Sequence, residues 1–253
     1  MYLAPQPPEA LAAAIAAIPR PEGAPVLVLV GETDAPDLDA LVAALTASGV
    51  EFAGGLFPGL LTDEGHREAG VVALPLPKAS APVVIPGLGT GDFEGLDSLD
   101  LPEGGTAFVF VDGLATHVGG FLAALFHRAG ASVTYVGGGA GSLSLQPAPC
   151  LFTREGVVQD AALIVPTPEA STVGVRHGWA RLAGPLVATQ TQGPRVEALN
   201  WEPALEVYRR AVEPDAGRDV TPEDFFSVAK GYPFGISREG QEDVVRDPIT
   251  VDG

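Results

Sequence analysis

The sequence predicts an α/β fold that turns α+β in its second half, and three observations carry that reading. The 253 residues are 46% hydrophobic, enough to bury one large core or two modest ones, which excludes a chain that is mainly disordered. Their apolar runs are short and punctuated by 24 prolines and 32 glycines, the pattern of many short elements joined by tight turns. A strand–helix–strand order near the start returns roughly eighty residues later, the signature of an internal repeat.

The elements follow in order. Leu11 to Ile18 is an apolar run that Pro19 ends. No basic residue precedes it and it falls short of the roughly 20 residues that span a bilayer, so it reads as a short helix. Val26 to Val30 is unbroken and apolar, as in a strand buried on both faces. From Asp37 to Ser48 the apolar residues Leu38, Leu41, Val42 and Leu45 fall at helical spacing, and Gly49 supplies the stop. A strand ending in Phe52 completes a βαβ unit, and Phe52 to Gly59 reads as a glycine-rich turn.

The second set repeats this order: strand Ala107 to Val111, helix Thr116 to Arg128 stopped by Gly130, strand Ser132 to Val136, then the glycine-rich turn Gly137 to Gly141. Each set closes with an apolar strand, Gly70 to Leu74 and Ala161 to Val165. Residues 26–74 and 107–165 are therefore read as duplicated βαβ units. A connecting segment, 75–106, holds the short strand Val83 to Ile85. From Cys150 onward the pattern changes to hairpins. Cys150 to Phe152 and Val157–Val158 flank Arg154 to Gly156, and Leu186 to Thr189 and Arg195 to Leu199 flank Gln192 to Pro194. Pro203 opens a helix to Val212, and Thr221 to Asp224 is an N-cap signature for a helix to Lys230. A strand follows at Asp243 to Val245. The domains are placed at 1–184 and 185–253.

Charge and cysteine usage narrow the function. The chain carries 32 acidic and 14 basic side chains, a net charge of −18, so nucleic acid and anionic membranes are excluded as expected partners. Its single cysteine, Cys150, forms no internal disulfide and no cysteine-based metal site, and a reducing cytoplasm is the default location.

Signals of chemistry are sparse. Gly137 to Ser142 follows a strand, but Pro147 and Pro149 leave no room for the helix that a phosphate-cradling loop needs. The functional reading that remains is close backbone approach to a small ligand by Gly137, Gly138, Gly139 and Ser142. His66, His117, His127 and His177 are scattered without metal-ligand spacing, although a single axial histidine to haem remains compatible with them. No Gly-x-Ser-x-Gly elbow occurs, and Cys150 lies in an apolar strand where a lone cysteine usually packs. Val175 to Trp179 is different, because it sets a guanidinium, an imidazole and an indole on one strand. Alternation places Arg176 and Gly178 on one face and His177 and Trp179 on the other. Arg176 can fork onto a carboxylate while Trp179 supplies a flat wall, half of a pocket for an amino or organic acid. Arg246, before Asp247 and Pro248, is a second candidate for the carboxylate.

Phe57-Pro-Gly59, Val136 to Gly141, Gly174 to Trp179 with Gly184-Pro185, Pro203 to Tyr208, Tyr232 to Ile236 and Val245 to Pro248 occur in an order and spacing that resemble the FIST family of intracellular signal-transduction proteins. The likeness extends over nearly the whole chain and implies an N-terminal FIST domain followed by a C-terminal one. It implies a cytoplasmic sensory module that binds a small ligand such as an amino acid and signals to a partner, and for some members a haem-containing gas sensor. It identifies no catalytic residue. In relatives the C-terminal domain continues past Arg246-Asp-Pro248, whereas this sequence stops at Gly253, so a shortened C-terminal domain is expected.

The leading expectation is thus a non-catalytic sensor of amino acids or other small carboxylates. Its rivals are an enzyme acting on a small carboxylate or amide, with the glycine turn as an oxyanion site, and a haem sensor. Arg176, His177 or Trp179 is expected to share a pocket with the Gly137 to Ser142 turn. Residues 231–253 are expected to self-associate as a homodimer or to be mobile, because an open strand edge invites pairing and Tyr232, Phe234 and Ile236 would add apolar surface.

Overall fold

In a computed structural model that describes residues 1–240 and 242–251, the chain divides into two units, Met1–Val173 and Gly174–Gly253. The chain end at Asp252 and Gly253 lies outside the described residues, as does Gln241.

The first unit runs β1 (Tyr2–Leu3), α1 (Pro8–Ala16), β2 (Val26–Gly31), α2 (Leu38–Ala47), β3 (Phe52–Phe57), β4 (Leu60–Thr62), β5 (Gly65–Arg67) and β6 (Val71–Pro75). It continues with β7 (Val83–Pro86), β8 (Thr106–Asp112), α3 (Val118–Ala129), β9 (Thr134–Ala140), β10 (Leu151–Thr153), β11 (Gly156–Val158) and β12 (Ala161–Thr167). Local chemistry sets the ends of these elements. The Asp37 carboxylate accepts the Ala40 N–H at 2.8 Å and caps α2, while Gly49 takes the left-handed conformation that ends it.

Two sheets result, ordered β1-β6-β2-β3-β10-β11 and β7-β12-β8-β9. They share one strand order. In each, a parallel pair joined by a helix, β2 with β3 and β8 with β9, is flanked on its first strand by an antiparallel strand, β6 or β12. That strand is flanked in turn by another antiparallel one, β1 or β7. Between the sheets lies a core of Leu27, Ala53, Phe110, Leu151, Leu163 and Val165. Leu11, Ile15, Leu41, Leu45, Phe52 and Phe152 fill a second core under α1 and α2. Phe121 and Leu125 of α3 join Val109, Val111 and Ile164 in a third. The layers are helix, sheet, sheet, helix.

The glycine-rich segments expected as turns are strand interiors instead. Gly54 and Gly55 lie within β3 opposite Val28 and Leu29, and Gly137 to Gly139 lie within β9 opposite Val109 to Val111. The physical reason is space: a Cβ on Gly54 would run into the Val28 carbonyl, and one on Gly137 into the Val109 carbonyl. The Cys150 hairpin joins this unit by pairing β10 with β3.

The second unit contains β13 (Ala188–Gln192), β14 (Arg195–Leu199), β15 (Glu202–Pro203), α4 (Ala204–Ala216), α5 (Phe225–Ala229), β16 (Phe234–Ile236) and β17 (Val244–Arg246). The first three strands form one antiparallel sheet and the last two a hairpin. Its core is Tyr208, Val212, Val220, Phe225, Val228 and Ala229. α4 runs past Val212 through Pro214 and ends at left-handed Gly217. Before α5 the capping expectation is reversed, because Asp224 accepts both the N–H and the hydroxyl of Thr221. The expected strand at Val175 to Trp179 is absent; those residues have no regular structure. β17 finds its partner in β16, and Tyr232 and Phe234 pack against the core, leaving Ile236 exposed. Among the described residues no helix is long and apolar enough to cross a membrane.

Candidate functional site

In the first unit the chemistry gathers where the parallel strands end. β3 closes at Phe57 and β9 at Ala140, and the next residue, Gly141, donates its N–H to Leu56 at 2.8 Å. Two residues on, the Leu143 N–H donates to the Glu32 carboxylate at 2.9 Å, just beyond the end of β2. The carboxyl ends of β2, β3 and β9 thus converge, the position at which open α/β sheets offer ligand crevices. Gly137, Gly138 and Gly139 are exposed, and open space surrounds Gly138. The following loop is held by serine side chains. Ser142 Oγ accepts the Ser144 N–H at 3.0 Å and Ser144 Oγ accepts the Gln146 N–H at 3.3 Å.

Sequence reading missed Asp112, the last residue of β8. It is 2% exposed, and its two oxygens accept the N–H groups of Leu114 at 3.1 Å and Asp160 at 2.9 Å. Asp160 is itself left-handed, with a φ of 51°. Buried Cys150 lies nearby; burial, and then the Asp112 and Asp160 carboxylates, push its thiol up to about 12. A polar residue closing an apolar run at a parallel strand's carboxyl end is the signal that would have found Asp112. The strand read from the sequence, Ala107 to Val111, stops one residue short of it.

In the second unit Arg176 and His177 do not diverge as strand alternation requires. Both meet Glu242: Arg176 Nη1 lies 3.3 Å from one carboxylate oxygen and His177 Nε2 lies 3.7 Å from the other. The Trp179 N–H donates to His177 Nδ1 at 3.0 Å, so a neutral imidazole carries its proton on Nε2, facing Glu242. Beside this contact, Arg181 pairs with Asp243 at 3.0 Å and holds that carboxyl below its usual range. Trp179 is partly exposed. Arg246 lies on β17 and donates to the Val245 carbonyl at 2.8 Å. The unit brings Arg176 and His177 together on one carboxylate, while the glycine strand and Ser142 belong to the first unit.

The histidines stay apart. His66 lies in β5 against Gly59, His117 precedes α3 with its ring against Gly91, and His127 is exposed near the end of α3. Among the described residues no three His, Cys, Asp or Glu side chains gather as a metal site. Two shallow depressions, of about 220 and 410 Å³, are lined around Leu99 to Val133 and around Ala16 to Gly49; neither holds a sequence-predicted site residue.

The family model of the FIST N domain matches residues 26–202, which take in both helix-joined parallel pairs, β2 with β3 and β8 with β9, and the β13–β14 hairpin. No curated protein matches the chain. With more than half of its length matched by that model, the chain belongs to the FIST family, a family of sensory domains.

Proposed function

We propose that this protein is a cytoplasmic sensory module that binds a small carboxylate, such as an amino acid, and passes its occupancy to a protein partner. Membership of a sensory family supports the general role. The observation that carries the ligand-binding part is the run of exposed glycines, Gly137 to Gly139, at the carboxyl half of a parallel strand and leading into Ser142. Without side chains there, a ligand reaches backbone groups that an ordinary strand would cover. Arg176, His177, Trp179 and Arg246 are the second unit's groups for a carboxylate, and the Arg176 side chain is 84% exposed. The common strand order of the two sheets supports reading residues 26–74 and 107–165 as copies of one ancestral unit.

The test is a thermal-shift screen of the full chain against amino and organic acids, followed by calorimetry and chemical recovery of the ligand. A genuine ligand at a hundred times its Kd stabilises by about 2.7 kcal/mol. A panel in which no acid raises the melting temperature overturns the carboxylate assignment. A ligand recovered chemically changed overturns the non-catalytic reading.

A further inference from the structure

We propose that the outer edge of β9 and the adjoining flank of α3 form a docking surface for a second copy of this chain. The proposal rests on a difference between two equivalent places in the first unit. The outer edge of β3 is covered by the β10–β11 hairpin, whereas its counterpart β9 ends its sheet with no strand beyond it among the described residues. The helices above them differ in the same way. Leu41 and Leu45 of α2 are buried as Phe121 and Leu125 of α3 are, which sets Val42 and Thr46 in register with Leu122 and Phe126. Val42, in the core that Val157 of β11 helps to cover, is 8% exposed, but Leu122 is 46% and Phe126 55% exposed. Phe126 and Tyr135 of β9 sit 6.2 Å apart ring to ring, so this open stripe faces the β9 side of the helix.

Several features favour a second copy as the occupant. A chain of net charge −18 repels its own copies wherever acidic groups meet. Although 32 of its 253 residues are acidic, there is no Asp or Glu from Gly113 to Thr153, the stretch that contains α3 and β9. Geometry agrees. Antiparallel pairing of two β9 edges about a twofold axis places strands about 4.8 Å apart. Helices seated over each β8–β9 pair then lie about 10 Å apart, the spacing at which helices pack. The exposed stripe Gly119, Leu122, Ala123 and Phe126 has the i, i+3, i+4, i+7 spacing of one helix face, with two small residues that permit close approach. Pairing would satisfy the edge N–H and C=O groups of β9 and leave the faces over its glycines open, so it does not rest on the ligand reading.

Sedimentation velocity of the full chain over micromolar to hundred-micromolar concentration tests the proposal, with the double variant Leu122→Glu/Phe126→Glu and the exposed control Leu61→Glu. The expected result is a species of twice the 25.9 kDa chain mass. The double variant should raise its dissociation constant more than about tenfold, by placing unpaired carboxylates in the contact, while the control leaves it unchanged. Ala123→Glu serves in place of the double variant should that one lose its native circular dichroism. A strict monomer over the whole range overturns the proposal, as does a dimer indifferent to charges on α3.

Discussion

The carboxylate of Asp112 accepts the backbone N–H of Asp160 at 2.9 Å, tying the end of β8 to the turn that enters β12. The other oxygen accepts the Leu114 N–H at the start of the connection to α3, so one buried side chain anchors two loops. Asp112→Ala strands two backbone donors and is expected to lower unfolding stability by about 1–3 kcal/mol in urea titration. A wild-type midpoint in that variant would show that water or loop movement replaces both bonds.

The Cys150 thiol, pushed up to about 12 mainly by burial, stays protonated and inert in the native state at pH 8. Ellman's reagent should therefore find almost no reactive thiol until the chain is unfolded, and one thereafter. Linkage has a defined sign. Between pH 9 and about 12 the unfolded thiol has lost a proton that the folded one keeps, so this group's contribution to stability falls as pH rises through that window. Tyr208, raised from 10 to about 12 by burial, adds in the same direction. Stability that does not decline on the alkaline side would contradict both.

Two glycines in equivalent strands should respond oppositely to the same change. In Gly54→Ala the new methyl meets the Val28 carbonyl and the Phe152 ring, at an expected cost of about 1–3 kcal/mol. Gly138→Ala enters open space and should stay within about 0.5 kcal/mol of wild type. Thermal unfolding of the pair reads the difference directly, and equal effects would refute the close approach of β3 to its neighbours.

Asn200 and Trp201 both have positive φ, 50° and 69°, and form the two-residue connection between β14 and β15. The second position of such a turn favours glycine, yet it holds a tryptophan that is 85% exposed. Trp201→Gly relieves an unfavourable left-handed residue worth about 1–2 kcal/mol and gives part of that back as unfolded-chain entropy. A net gain of about 0.5–1 kcal/mol is expected; a loss would mean that the ring contributes packing in solution.

If Arg176 recognises a ligand carboxylate, Glu242 now competes for it at 3.3 Å. Arg176→Ala should weaken an acidic ligand by about 1.5–3 kcal/mol, whereas Glu242→Gln should tighten it. Calorimetry with the best acid from the screen distinguishes the two, and equal weakening by both variants would remove Arg176 from the binding surface.

What the sequence determined by itself is the local layer of this protein. Periodicity alone places β2, α2, β8, α3 and β12 close to their bounds, because an apolar run or a helical stripe is written in neighbouring residues. Phe57-Pro-Gly59, Val136 to Gly141 and Gly174 to Trp179 likewise carry the family likeness without any contact being known. Tertiary structure decided the rest. Gly54 and Gly137 are strand residues rather than turns because carbonyls of the paired strands occupy the space of their side chains. Arg176 and His177 share Glu242, more than sixty residues along the chain, so strand alternation misassigned their faces. Asp112 became an anchor only when β12 brought the Asp160 N–H to it. Such contacts join residues far apart in sequence, and no local pattern of hydrophobicity or turn chemistry encodes which distant group will arrive.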